Sequence, residues 1–135
     1  MDQFNQMLSK WQPTALSLMR FITGLLLFQF GVAKLLKFPP DSPFANVHPM
    51  SLFGAAGTIE LIFGGLLILG LFTRPVAFIL SGEMAFAYFI EHFPKSLFPV
   101  INGGSLAIAL CFTCLFLATA GGGPVSIDAL IGRRT

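Results

Sequence analysis

At 135 residues the chain has the length of one domain, yet 55% of it is hydrophobic and only 10% is charged. A globular domain is roughly a quarter charged, so this composition, with a mean hydropathy of +0.81, points to an integral membrane protein rather than a soluble one. A formal net charge of +2 with no basic run argues against nucleic acid as a partner, and two cysteines are too few for a disulfide scaffold.

Residues 1–13 place Phe4, Met7, Leu8 and Trp11 on one helical face, with Asp2, Gln3, Gln6 and Lys10 over much of the rest. That pattern suits either a short amphipathic helix lying in the membrane interface or a frayed terminus. No cleavable signal peptide is expected, because no small-residue cleavage site follows a short apolar core. Pro13 is read as a break before a first span over residues 14–36. Arg20, Gly24, Leu27, Gly31 and Lys34 step by three and four along this span, as one packed seam does. The plainer account, two cations snorkelling to the headgroups, suits Lys34 better than Arg20. Four prolines between Lys37 and Met50 exclude a continuous helix there, and His48 in that loop is a weak candidate for a ligand or base.

The second span, residues 52–72, is the most apolar stretch and carries a single ionisable group, Glu60, on the same face as Gly57 and Gly64. A carboxyl flanked by glycines inside hydrocarbon belongs on a close-packed interior face. The turn at Arg74-Pro75 makes spans two and three antiparallel neighbours. The third span, residues 75–92, carries Glu83, Glu91 and His92, and the fourth, residues 100–120, is stopped by GGGP. Ser126 and Asp128 are candidate caps for a short terminal helix. The expected architecture is therefore an all-α, up-down-up-down membrane bundle of four helices in one domain. Lys10, Arg74, Arg133 and Arg134 fall on the side of the termini, which puts both termini in the cytoplasm.

Depth along the spans pairs the embedded charges. Arg20 lies about 9 Å and Glu83 about 12 Å from the inner face at 1.5 Å per residue, so these two are expected to form an inner structural ion pair. Lys34, Glu60, Glu91 and His92 form an outer layer, joined by Asn102 and Ser105 at the start of the fourth span. Such groups either fix helix register or line a polar cavity, and the cost of burying charge favours the cavity. Cys111 and Cys114 have thiol-redox spacing, but they fall near the midplane on a stripe of small residues that explains them as packing. No histidine pair at ligand spacing points to metal, and no nucleotide loop is present.

The combination of Arg20, Gly24, Phe28, Gly31 and Lys34 with GTIELIFGGLLILGLFTRP, GEMAFAYFIEHFP and NGGSLAIALCFTCLFLATAGGGPVSID resembles the DoxX family of small bacterial membrane proteins, over residues 15–128. The resemblance implies a four-helix bundle in the bacterial cytoplasmic membrane and an association with redox systems, thiosulfate–quinone oxidoreduction and membrane oxidoreductase complexes among them. It carries Arg20, Lys34, Glu60, Glu83, His92, Asn102, Gly123, Pro124, Ser126 and Asp128 as family positions. Ser105 stands where the family motif Asn-Gly-Gly-Glu usually has its acid. The function expected first is an accessory membrane subunit of a quinone- or sulfur-compound-linked redox complex, its polar cavity holding a quinone headgroup or a small sulfur-containing substrate, with quinone as the candidate cofactor and other redox subunits as partners. Alternatives are a small proton-linked carrier acting as a homo-oligomer, and an assembly partner in which the charges only set register.

Overall fold

The computed structural model describes residues 1–132, and all regular structure among them is helical. Helix α1 (Asp2–Lys10) buries none of its residues. Helix α2 (Gln12–Gly31) runs on through a turn of π-helix, Val32–Leu36. Pro13 follows the break rather than making it: α1 ends at Lys10 and α2 starts at Gln12. It sits in the first turn of α2, where the missing N–H has no intrahelical partner to lose. After the loop come α3 (Leu52–Leu69) and α4 (Thr73–Ala87), the latter extended by a second π turn, Tyr88–His92. A short 3₁₀ turn, α5 (Pro99–Asn102), α6 (Ser105–Ala120) and α7 (Ile127–Leu130) complete the order.

Three helical stretches are long and apolar enough to cross a membrane: Gln12–Leu36, Leu52–Leu69 and Thr73–Lys95. Helix α6 is apolar but has only 16 residues, about 24 Å of rise. It starts later than the expected fourth span because Gly103, at φ +75°, ends α5 in the left-handed region. Helix α2 lies against α3, α3 against α4, and α4 against α6, which also touches α2. The core between them is Leu27, Leu67, Val76, Leu80, Leu110 and Leu117, with their neighbours. Large apolar side chains such as Phe78, Phe86 and Phe112 face outward, as lipid-facing surfaces require.

Glycine sets the spacing of α2 and α3. A β-carbon on Gly31 would come within 2.5 Å of the Leu61 amide nitrogen, and one on Gly64 within 2.8 Å of that of Phe28. The two backbones are in direct contact, as small-residue seams allow. The seam read from the sequence is the buried side of both helices: Arg20, Gly24, Leu27, Gly31 and Lys34 on α2, and Gly57, Glu60 and Gly64 on α3.

The α3–α4 turn lies at Gly70–Phe72, not at Arg74-Pro75. Gly70 at φ +70° caps α3, with its N–H on the Leu67 carbonyl and that of Leu71 on Leu66. Arg74 and Pro75 belong to the first turn of α4. Asp128 caps that turn from far along the chain: Oδ1 accepts from Phe72 N and Oδ2 from Thr73 N, both at 2.9 Å. Ser126 alone caps α7, accepting from Ala129 N. Arg133 and Arg134, expected on the side of the termini, lie outside the described residues.

Gly31→Ala is expected to cost roughly 1–3 kcal/mol, because the contact it crowds is backbone. Gly82→Ala, whose β-carbon meets nothing within 4 Å, should instead stabilise by about 0.5–1 kcal/mol through helix propensity. Unfolding in mixed detergent micelles reads both. Asp128→Ala should lose about 1 kcal/mol as a lost helix cap, with Asp128→Asn losing less.

Candidate functional site

The close approach of α2 and α3 brings Lys34 to Glu60. A β-carbon on Gly57 would lie 2.7 Å from Lys34 Cβ, so only glycine leaves room for the lysine stem beside α3. Lys34 Nζ donates to Glu60 Oε1 at 2.9 Å, and this is the one salt bridge found among the described residues. Both groups are buried, Glu60 to 1% exposure. The ammonium also faces two aromatic rings, 5.9 Å from the centroid of Phe30 and 5.1 Å from that of Phe44, both within range of a cation–π attraction. Phe44 comes from the loop. Lys37 holds that loop down by donating to the carbonyls of Lys34, Phe44 and Val47.

Glu83 joins this pair from α4, within electrostatic and hydrogen-bonding reach of Glu60 and within the field of Lys34. The expected Arg20–Glu83 ion pair is not formed. Glu60 stands ten residues before Gly70 and Glu83 ten residues after Thr73, so each lies about 15 Å from the shared turn and the two are level. Arg20 is level with the turn itself. It donates to the carbonyls of Val125 (2.7 Å), Ile68 (3.2 Å), Leu67 (3.4 Å) and Ser17 (3.4 Å), beside the Asp128 carboxylate.

A cavity of about 240 Å³ opens on the Lys34–Glu60 pair. Glu91 and His92, from the π turn of α4, line it together with Phe30, Phe44 and Phe53. His92 Nδ1 lies 3.0 Å from the Asn102 carbonyl, which accepts only, so Nδ1 carries a hydrogen and Nε2 is the ring's other nitrogen. Asn102 is buried as a tie, not as a wall of the cavity. Its Nδ2 donates to Tyr88 Oη and to the Ser96 carbonyl, and its Oδ1 accepts from Gly104 N. Ser105 is exposed at the start of α6 and lines no cavity described here. Of the six binding residues expected, four meet: Lys34, Glu60, Glu91 and His92. The rings of Phe30, Phe44 and Phe53 were not foreseen. Phe30 lies four residues before Lys34, a spacing that could have flagged it.

Cys114 is wholly buried in the core, and Cys111 is half-buried beside Ser81, whose hydroxyl donates to the Cys111 carbonyl at 2.8 Å. Both are free thiols. His48 is exposed in the loop, its Nδ1 accepting from Met50 N.

Comparison with known proteins now adds to the geometry. The DoxX family profile matches residues 15–93, more than half of the chain. The chain belongs to the DoxX family. The match covers α2, α3 and α4, and so Lys34, Glu60, Glu83, Glu91 and His92. An uncharacterized protein of Haemophilus influenzae is 40% identical over 127 residues, covering 90% of this chain and 93% of its own length. No solved structure matches. DoxX membership and three membrane-length apolar helices make this a membrane protein.

Losing one partner of the buried pair strands the other's charge. Glu60→Leu and Lys34→Met are each expected to destabilise by about 3–5 kcal/mol, and the double variant by much less. A double-mutant cycle measured by unfolding in detergent checks this. A double variant as unstable as the sum of the two singles would show that the pair contributes nothing as a pair.

Proposed function

We propose that this DoxX protein is an accessory membrane subunit of a redox complex, and that the cavity at Lys34 and Glu60 receives the polar ring of a small lipid-soluble ligand of the quinone type. The chain would cross the bacterial cytoplasmic membrane four times, up-down-up-down, with both termini in the cytoplasm. The observation that carries the reading is the adjacency of two unlike spaces. The 240 Å³ cavity is lined by Lys34, Glu60, Glu91 and His92, while a second cavity of about 530 Å³, which Glu83 also lines, is walled mostly by apolar side chains such as Ile59, Ile79, Phe86 and Ile90. The two share Lys34, Phe53, Ala87 and Glu91 as walls. A few polar groups fixing a head and an apolar space taking its body is the usual make-up of a small-molecule site.

In this reading Lys34 holds the head through its ammonium, with Glu60 fixing that ammonium in place. His92 offers Nε2 as acceptor, and its ring is set by the Asn102 carbonyl. Phe30 and Phe44 present flat apolar faces. Arg20 is remote from this chemistry and holds the opposite end together.

A proton-linked carrier is the second reading, favoured by one observation: Glu60 and Glu83 lie within hydrogen-bonding reach of each other, and two carboxyls so placed hold a proton between them. Glu83→Gln would then abolish acidification of proteoliposomes under an imposed gradient.

For the first reading, protein captured from native membranes with mild detergent should carry quinone in its organic extract. Lys34→Met, recovered folded, should retain at least about fivefold less, the loss of a charge-assisted hydrogen bond. A native extract without quinone or any other ring-bearing lipid, and without co-purifying redox subunits, would rule the reading out.

A further inference from the structure

The two cavities meet at the carboxyl pair. Glu60 lines the polar cavity and Glu83 the apolar one. Glu83 Oε1 is buried and finds no donor in the fold, although an unsatisfied buried oxygen costs free energy. The walls of the apolar cavity are also outward-facing. Leu52 is 62% exposed, Phe86 71% and Ile90 49%. On a membrane protein these faces meet lipid chains, not water, so the space between α3 and α4 is a groove open sideways to the bilayer.

We infer that this groove is the lateral entrance through which a lipid-dissolved ligand with a flat, carbonyl-bearing ring reaches the site, and that Glu83 is the first polar group its head meets. The inference rests on the proposed quinone-type site and adds the direction of entry and the contacting residue. As the ring arrives, the carboxyl hydrogen of Glu83 donates to a ring carbonyl. The ring then advances past Phe53 and Ala87, walls common to both spaces, towards Lys34 and His92. The apolar tail stays in the groove between Ile59 and Ile79, in continuity with the acyl chains. Beside Glu83 the groove is lined by Lys34 and Glu91, which it shares with the polar cavity, and otherwise by apolar side chains. That lining fits a hydrocarbon body with a single polar end.

The test uses the full chain in lipid nanodiscs. Two probes are titrated: decylubiquinone, and the tail-less ring 2,3-dimethoxy-5-methyl-1,4-benzoquinone. Ala55→Trp places a large side chain on the groove wall, and should weaken decylubiquinone about tenfold more than the bare ring. Phe112→Trp, on the outward face of α6, should change neither. Glu83→Gln keeps a donor, and should hold affinity within about threefold where Glu83→Leu loses about tenfold. A decylubiquinone bearing a diazirine at the tail end, photolysed on the unmodified protein, should label residues of α3 and α4. Label confined to α2 or α6, or equal loss of both probes in Ala55→Trp, would overturn lateral entry while leaving the quinone site standing. If the unmodified protein bound neither probe, the site itself would be refuted and the entrance with it.

Discussion

A lysine and a glutamate, 2.9 Å apart and both buried, set the terms for the rest of the molecule. Taking two charges out of water costs several kcal/mol each, and mutual attraction offsets this only when the geometry is good and the remaining valences are met. The structure meets that condition by several means at once. Gly57 leaves the space for the lysine stem, Gly31 and Gly64 bring the backbones into contact, and Phe30 and Phe44 turn their rings to the ammonium. A hydrophobic pair of equal volume would hold two helices together with less effort.

The two ends of the helical assembly are built on opposite principles. At the Arg20 end the guanidinium is spent on backbone carbonyls, Asp128 caps α4, and the Ser17 hydroxyl donates to the Gly122 carbonyl while accepting from Val125 N. That end is closed by hydrogen bonds. At the Lys34 end both long helices finish in π turns, Val32–Leu36 and Tyr88–His92, a helical form that is rare and concentrated at functional places. The wider turns stand where the cavity opens, and a loop rather than a helix covers Lys34.

Much of this was readable in the residues. Steps of three and four through Gly24, Gly31, Gly57 and Gly64 foretold the α2–α3 seam, because small residues and charges in hydrocarbon have only one favourable direction to face. The partner of Glu83 was misjudged for a physical reason: depths were counted from separate membrane faces, whereas α3 and α4 share a turn, and distance from that turn sets their heights. Asp128 as the cap of α4 was invisible because its partners, Phe72 and Thr73, are more than fifty residues away, and no local pattern announces such a contact. Phe44 was hidden for a similar reason. Its place over Lys34 depends on how Lys37 gathers the loop. Pro75 misled, because a first helical turn accepts proline, whereas Pro13 does stand at a helix boundary.

The clasp around Arg20 bears on the order of events during synthesis. Its strongest acceptor, the Val125 carbonyl, lies 105 residues downstream. As translation proceeds, α2 must therefore enter the bilayer with only the Ser17 carbonyl for its guanidinium, gain those of Leu67 and Ile68 when α3 follows, and wait longest for Val125. Lys34 waits for a much shorter interval, since Glu60 is 26 residues away. The Lys34 end is thus assembled early, and the opposite end is sealed only when the GGGP segment has emerged. A ribosome stalled before that point would hold in lipid an arginine still short of its Val125 acceptor, the kind of defect that membrane quality control recognises.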